Sequence, residues 1–156
     1  MTTVNTFAYR KKCVPSSVKT STSLGQDLMV AWSNIYGMWA TFTLTETCQV
    51  NVNGMVSCHH RGIGSTANTM AAFKLTLNDE TIPNAVFGGN IISTTQHYET
   101  WPIWGDIELE PGEYTIRLMG RGETDAAPGV DGILEVKSQF TGMSVQAIPL
   151  TYDVGQ

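Results

Sequence analysis

Hydrophobic and polar residues alternate along most of this chain. Residues 107–121 read IELEPGEYTIRLMGR. Ile107 and Leu109 alternate with Glu108 and Glu110; Tyr114, Ile116 and Leu118 alternate with Glu113, Thr115 and Arg117. Side chains leave a strand on opposite faces in turn, so this pattern predicts two half-buried strands. Pro111-Gly112 separates them. Proline fixes φ at the second position of a tight turn, and glycine accepts the positive φ of a type II turn. Residues 110–113 are therefore expected to turn between two antiparallel strands, with the remaining sheet built to face this pair. Residues 39–45 are an equally clear strand, with Trp39, Thr41, Thr43 and Thr45 on one face and Ala40, Phe42 and Leu44 on the other. Phe73, Leu75 and Leu77 mark another.

Elsewhere the pattern is less regular. Cys48, Val50 and Val52 share a face; the period is read as slipping near Asn53-Gly54 before Val56 and Cys58 resume it. Glycine inside a strand pattern suggests a bulge or bend. Residues 18–23 resemble an edge strand. Residues 28–32, LMVAW, fit a strand buried on both faces or a single helical turn. Glycine-rich stretches predict loops at residues 61–70, 84–90 and 120–132, and Asn78-Asp79-Glu80 predicts a turn. Residues 91–104 are irregular, and Pro102 confines that part to an edge or a bulge. Residues 133–140 and 143–148 supply the last strands. About nine or ten short strands with regular turn signals, and no amphipathic helix, indicate an all-β sandwich or barrel. Few Lys or Arg guard the strand edges, so association into an oligomer is expected.

Composition narrows this picture. At 156 residues, one domain with a sizeable core is the natural reading. Charged residues make up only 15%, and the net charge is −5. Residues 1–78 carry a formal charge of +4, and residues 79–156, with twelve acids, carry −9. No basic groove is expected beyond a short arm, so nucleic acid is not an expected partner. No run reaches the length of a membrane span, and no charged-then-apolar leader is recognised. Three cysteines (Cys13, Cys48 and Cys58) make an odd count. Unbridged, mostly buried thiols in a protein assembled in a reducing cytoplasm are the simplest expectation.

The order of strand and turn signals between residues 39 and 148 resembles the TNF/C1q-like jelly roll of bacteriophage virion proteins. The matching pieces are TFTLTETCQVNVNG, FKLTLNDETIP, IELEPGEYTIRL and GILEVKSQF, with Gly112, Tyr114 and Ile116 fitting a G-x-Y-x-[IF] pattern. The resemblance implies an antiparallel jelly-roll β-sandwich and a compact homotrimer. It implies a virion location, as a head-decoration (cement) protein bound to the major capsid protein or as a fibre tip. The chain lacks a long shaft or collagen-like region, which favours head decoration. The family brings no catalytic residues, so neither enzymatic activity nor a cofactor is expected.

Residues 1–16 do not look like the body. Phe7 and Tyr9 are isolated aromatics, followed by Arg10, Lys11 and Lys12. This segment is expected to be an extended arm that binds the capsid or another partner, with residues 17–156 forming the sandwich. Tyr98, Trp101 and Trp104 are aromatic candidates for a subunit interface or a carbohydrate platform, the second belonging to a tail-fibre or receptor-binding alternative. Cys48, Cys58, His59 and His60 are the one metal-like group. Adjacent strand residues point to opposite faces and no metal-ligand spacing is present, so no metal is expected. Glu108, Glu110 and Glu113 fall on solvent faces beside a turn, where solvated charge is ordinary, and the spacing of Glu123, Asp125 and Asp131 matches no EF-hand loop, so neither paired catalytic carboxylates nor Ca²⁺ ligands are expected.

Overall fold

The computed structural model describes residues 18–19, 26–28, 31–61, 69–91, 98–124, 133–136 and 141–150. They form ten strands: β1 (Val18–Lys19), β2 (Gln26–Asp27), β3 (Ser33–Leu44), β4 (Cys48–Arg61), β5 (Thr69–Leu77), β6 (Glu80–Ile91), β7 (Tyr98–Leu109), β8 (Gly112–Thr124), β9 (Ile133–Val136) and β10 (Gly142–Pro149). All pairings are antiparallel. The expected antiparallel β-sandwich is what forms.

In the first layer β4 runs through the middle. β7 pairs along one side of it, and β10 and then β9 line the other. β1 extends this layer beyond β10, and β2 extends it beyond β9. Between β9 and β10 the ladder is interrupted. There the Ser57 N–H donates instead to Thr141 Oγ1 at 3.1 Å; on the opposite side of β4 the Thr100 hydroxyl of β7 donates to Ser57 Oγ at 3.2 Å. The second layer has the order β3-β8-β5-β6. Counting β1 with β2, and β9 with β10, as interrupted strands gives two layers of four.

The inner faces carry the core that alternation predicts. Val50, Val52, Val56 and Ile103 of the first layer, and Phe73, Leu75, Ile116 and Leu118 of the second, are almost completely buried. Phe73 and Trp101 meet across the layers with ring centroids 5.7 Å apart.

Several expectations are corrected. The strands around Pro111-Gly112 do not pair with each other: β7 pairs with β4, and β8 with β3 and β5. The turn is a corner between layers. It is held by the Tyr114 hydroxyl, which donates to the Glu110 carbonyl at 2.9 Å. Gly112 is not among the positive-φ residues, so the type II turn does not form. Glycine serves close approach here, because a Cβ would lie 3.2–3.3 Å from the Tyr114 ring and hydroxyl. Gly54 makes no bulge either, since β4 keeps unbroken register with β7 and β10 through it. A Cβ there would run into the Gly142 carbonyl of β10.

Residues 84–90 are strand rather than loop, and Gly88 and Gly89 pair with Ala72 and Ala71. At Gly88, φ is 136° and a side chain would strike the Ala71 carbonyl. Gly120 to Thr124 likewise continue β8; residues 125–132 lie outside the described residues. Leu28, Ala31 and Trp32 belong to no strand, although Leu28 is core. The strands are also longer than expected, with β3, β6 and β7 each 12 residues and β4 14.

One turn matches expectation closely. Leu77 pairs with Glu80, and Asn78 and Asp79 between them have φ of 47° and 72°. Positive φ at both central residues makes a type I′ turn, whose twist suits a hairpin. Among the described residues β5–β6 is the one strand pair joined by so short a connection.

Candidate functional site

The most distinctive outer surface is built by an irregularity in β3, an edge strand of the second layer. β3 pairs with β8 at Asn34↔Met119 and resumes at Trp39↔Arg117, so residues 35–38 stand opposite Leu118 alone. Gly37 has φ 70°, a conformation glycine adopts without steric cost. The turn slips the period, so that Ile35 and Met38 both point into the core. Tyr36 and Trp39 both stand on the outer face, 69% and 55% exposed. Bulges commonly re-aim side chains in this way.

A cleft of about 420 Å³ lies at these two rings. Asn34, Thr41, Thr115 and Arg117 also line it. The Thr41 and Thr115 hydroxyls are 3.1 Å apart and share a hydrogen bond. The Arg117 guanidinium is paired with Asp79 of the type I′ turn. In that turn Asn78 Oδ1 accepts the Thr115 N–H, and the Asn78 N–H donates to the Thr115 carbonyl, both at 2.9 Å. The cleft floor is thus braced by the β5–β6 hairpin. On the same layer Trp32 meets two cations: Lys74 Nζ lies 4.7 Å, and the Arg121 guanidinium 5.1 Å, from its ring centroid. Such contacts hold cations against an aromatic face.

The residues singled out from sequence are distributed differently. Trp101 packs half-buried against Phe73 and the core, which removes it from an outer platform. Trp104 points outward, 51% exposed, with its ring edge-on to Phe87. Tyr98 opens β7 opposite His59, and its side chain lies outside the described residues. Phe7, Tyr9, Arg10, Lys11 and Lys12 also lie outside them. Cys48 and Cys58 are buried at opposite ends of β4. At about 3.3 Å per residue they are roughly 33 Å apart, so Cys48 cannot join Cys58 in a disulfide or at one metal ion. Glu108, Glu110 and Glu113 are exposed, and Glu110 accepts a 2.7 Å hydrogen bond from Thr47. The side chains of Glu123, Asp125 and Asp131 lie outside the described residues.

Sequence reading missed Tyr36 and Trp39 as a pair because it started the strand at Trp39. The available signal was the glycine in Tyr36-Gly37-Met38-Trp39, which shifts a period-2 pattern by one.

No family model and no curated protein matches the chain. Among solved structures it is similar to dimeric latent PorU from Porphyromonas gingivalis, with TM-score 0.41, 11% identity, and coverage of 83% of this chain and 11% of that one. It is also similar to a ruminal GH26 endo-β-1,4-mannanase, with TM-score 0.34, 10% identity, and coverage of 86% and 21%. The chain thus spans a small part of either protein, and likeness at this level transfers no activity or partner.

Proposed function

We propose that the chain is a non-enzymatic virion structural protein, a homotrimeric head-decoration protein that binds the major capsid protein and stabilises the shell. The strand order carries the reading. Counted as eight strands, the layers run 1-8-3-6 and 2-7-4-5, which we read as a jelly roll, the fold implied by the sequence resemblance. Beyond its bulge, residues 40–44 of the edge strand β3 run in regular register and carry no charge, which supports association of copies along that part of the edge. The N-terminal arm is the proposed capsid contact. Light scattering of the isolated chain at micromolar concentration is expected to give the mass of a trimer. Co-sedimentation with capsids is expected to require residues 1–16. A stable monomer, or capsid binding that survives removal of the arm, would overturn the reading.

A second reading is a tail-fibre or receptor-binding module that binds host-surface carbohydrate. The cleft at Tyr36 and Trp39 favours it, in place of the Tyr98 to Trp104 stretch. Imaging the virion with a label on this chain distinguishes head from tail.

A further inference from the structure

We infer that the cleft at Tyr36 and Trp39 binds a neutral saccharide, one or two hexose rings long. Its volume of about 420 Å³ falls within the roughly 300–1,000 Å³ usual for small-molecule sites. A hexose presents an apolar C–H face and a rim of hydroxyls. The two exposed rings, set three residues apart by the Gly37 slip, offer broad apolar surface for that face. For the rim there is the Thr41–Thr115 hydroxyl pair. Each hydroxyl has one donor and two acceptor sites, so the pair keeps both donor and acceptor capacity after bonding to itself.

The charge of the lining selects the ligand class. Arg117 is the one charged residue among the lining residues, and its guanidinium already engages Asp79. The cleft therefore offers hydrogen bonds without a net positive charge to hold a phosphate or carboxylate, which fits a neutral polyol. The same bulge disfavours another strand as the occupant. It breaks the regular row of N–H and C=O groups along residues 35–38, and bulged edges template pairing poorly. The inference stands whether the chain sits at a head or a tail, and whether or not it is trimeric.

Isothermal titration calorimetry on the full chain tests it, with glucose, galactose, mannose, N-acetylglucosamine and their β-linked disaccharides as ligands. At least one is expected to bind with a millimolar or tighter Kd. Trp39→Ala is expected to weaken binding about tenfold, and Tyr36→Ala to weaken it measurably. Trp104→Ala, equally exposed but on the other layer, is expected to leave the affinity unchanged. Thr115→Val removes one hydroxyl at constant shape and is expected to weaken binding even should Trp39→Ala fail to fold. Absence of heat with every saccharide would overturn the inference, as would equal losses from Trp104→Ala. Tighter binding of inorganic phosphate would overturn the neutral class. If Trp39→Ala dissociates the oligomer without changing saccharide affinity, the face is an interface between copies instead.

Discussion

Gly54 and Gly105 look alike in the sequence, each a glycine on the inward row of a strand. Their surroundings set them apart. A Cβ at Gly54 would meet backbone: the Gly142 carbonyl, and Met143 Cα at 2.7 Å. A Cβ at Gly105 would meet side chains, with Leu75 Cδ1 at 3.3 Å and Ala85 Cβ at 3.6 Å. Side chains yield by rotamer shifts, whereas a hydrogen-bonded neighbouring strand does not. Gly54→Ala is therefore expected to cost about 3 kcal/mol or more, and Gly105→Ala about 1 kcal/mol, within the range of overpacked cores. Urea denaturation of both variants measures the difference, and equal losses would contradict the account. Nothing in the sequence distinguishes the two glycines, because the distinction lies in a strand about 90 residues downstream of one of them.

At the scale of elements, alternation was legible wherever it ran unbroken. The inward rows of β8 and the Trp39 to Leu44 part of β3 match the reading residue for residue. Alternation assigns a face, however, and never a partner. That is why alternation around Pro111-Gly112 suggests a turn between paired strands although the turn joins layers. The count also fails where the chain inserts residues. Both edge strands of the second layer do this: residues 35–38 of β3 stand opposite Leu118, and residues 82–85 of β6 stand opposite Leu75. Ile82 and Ala85 both face inward across the second insertion, as Ile35 and Met38 do across the first. The first insertion created the candidate cleft, so the cleft was the part of the molecule least visible in the pattern. The break between β9 and β10 is a third irregularity, and Thr141 bridges it. Thr141→Val keeps the shape but leaves the buried Ser57 N–H without its acceptor. Expected destabilisation is about 1–3 kcal/mol. Thr141→Ser should recover most of it, and thermal melts of the two variants provide the check.

For the whole molecule, the proposed arm contact can be weighed by magnitudes. Arg10, Lys11 and Lys12 in exposed ion pairs would contribute about 0.2–1 kcal/mol each, weakening with salt. Phe7 and Tyr9, buried in a partner's groove, would contribute about 1.5–3 kcal/mol each. Ordering backbone costs about 1–2 kcal/mol per residue, so charge alone cannot hold an arm of this length. Phe7→Ala with Tyr9→Ala is expected to release the protein from capsids while the body stays folded. Neutralising the three cations is expected only to weaken binding. Co-sedimentation of both variants decides, and the reverse ranking would refute the account. The wiring of the sandwich bears on how it assembles from an unfolded chain. β5–β6 is the one tight hairpin among the described strands, while other pairings close long loops: Ser57 and Thr141 are 84 residues apart, and Ser144 and Asn53 are 91. Loop closure must precede the reward from such contacts, so refolding is expected on the millisecond-to-second scale of non-local β topologies. The type I′ turn is the natural local nucleus. Asn78→Ala, which disfavours its left-handed φ and removes the bond to Thr115, should slow refolding more than it speeds unfolding. Stopped-flow kinetics against denaturant would reveal a nucleus elsewhere if only the unfolding limb moved.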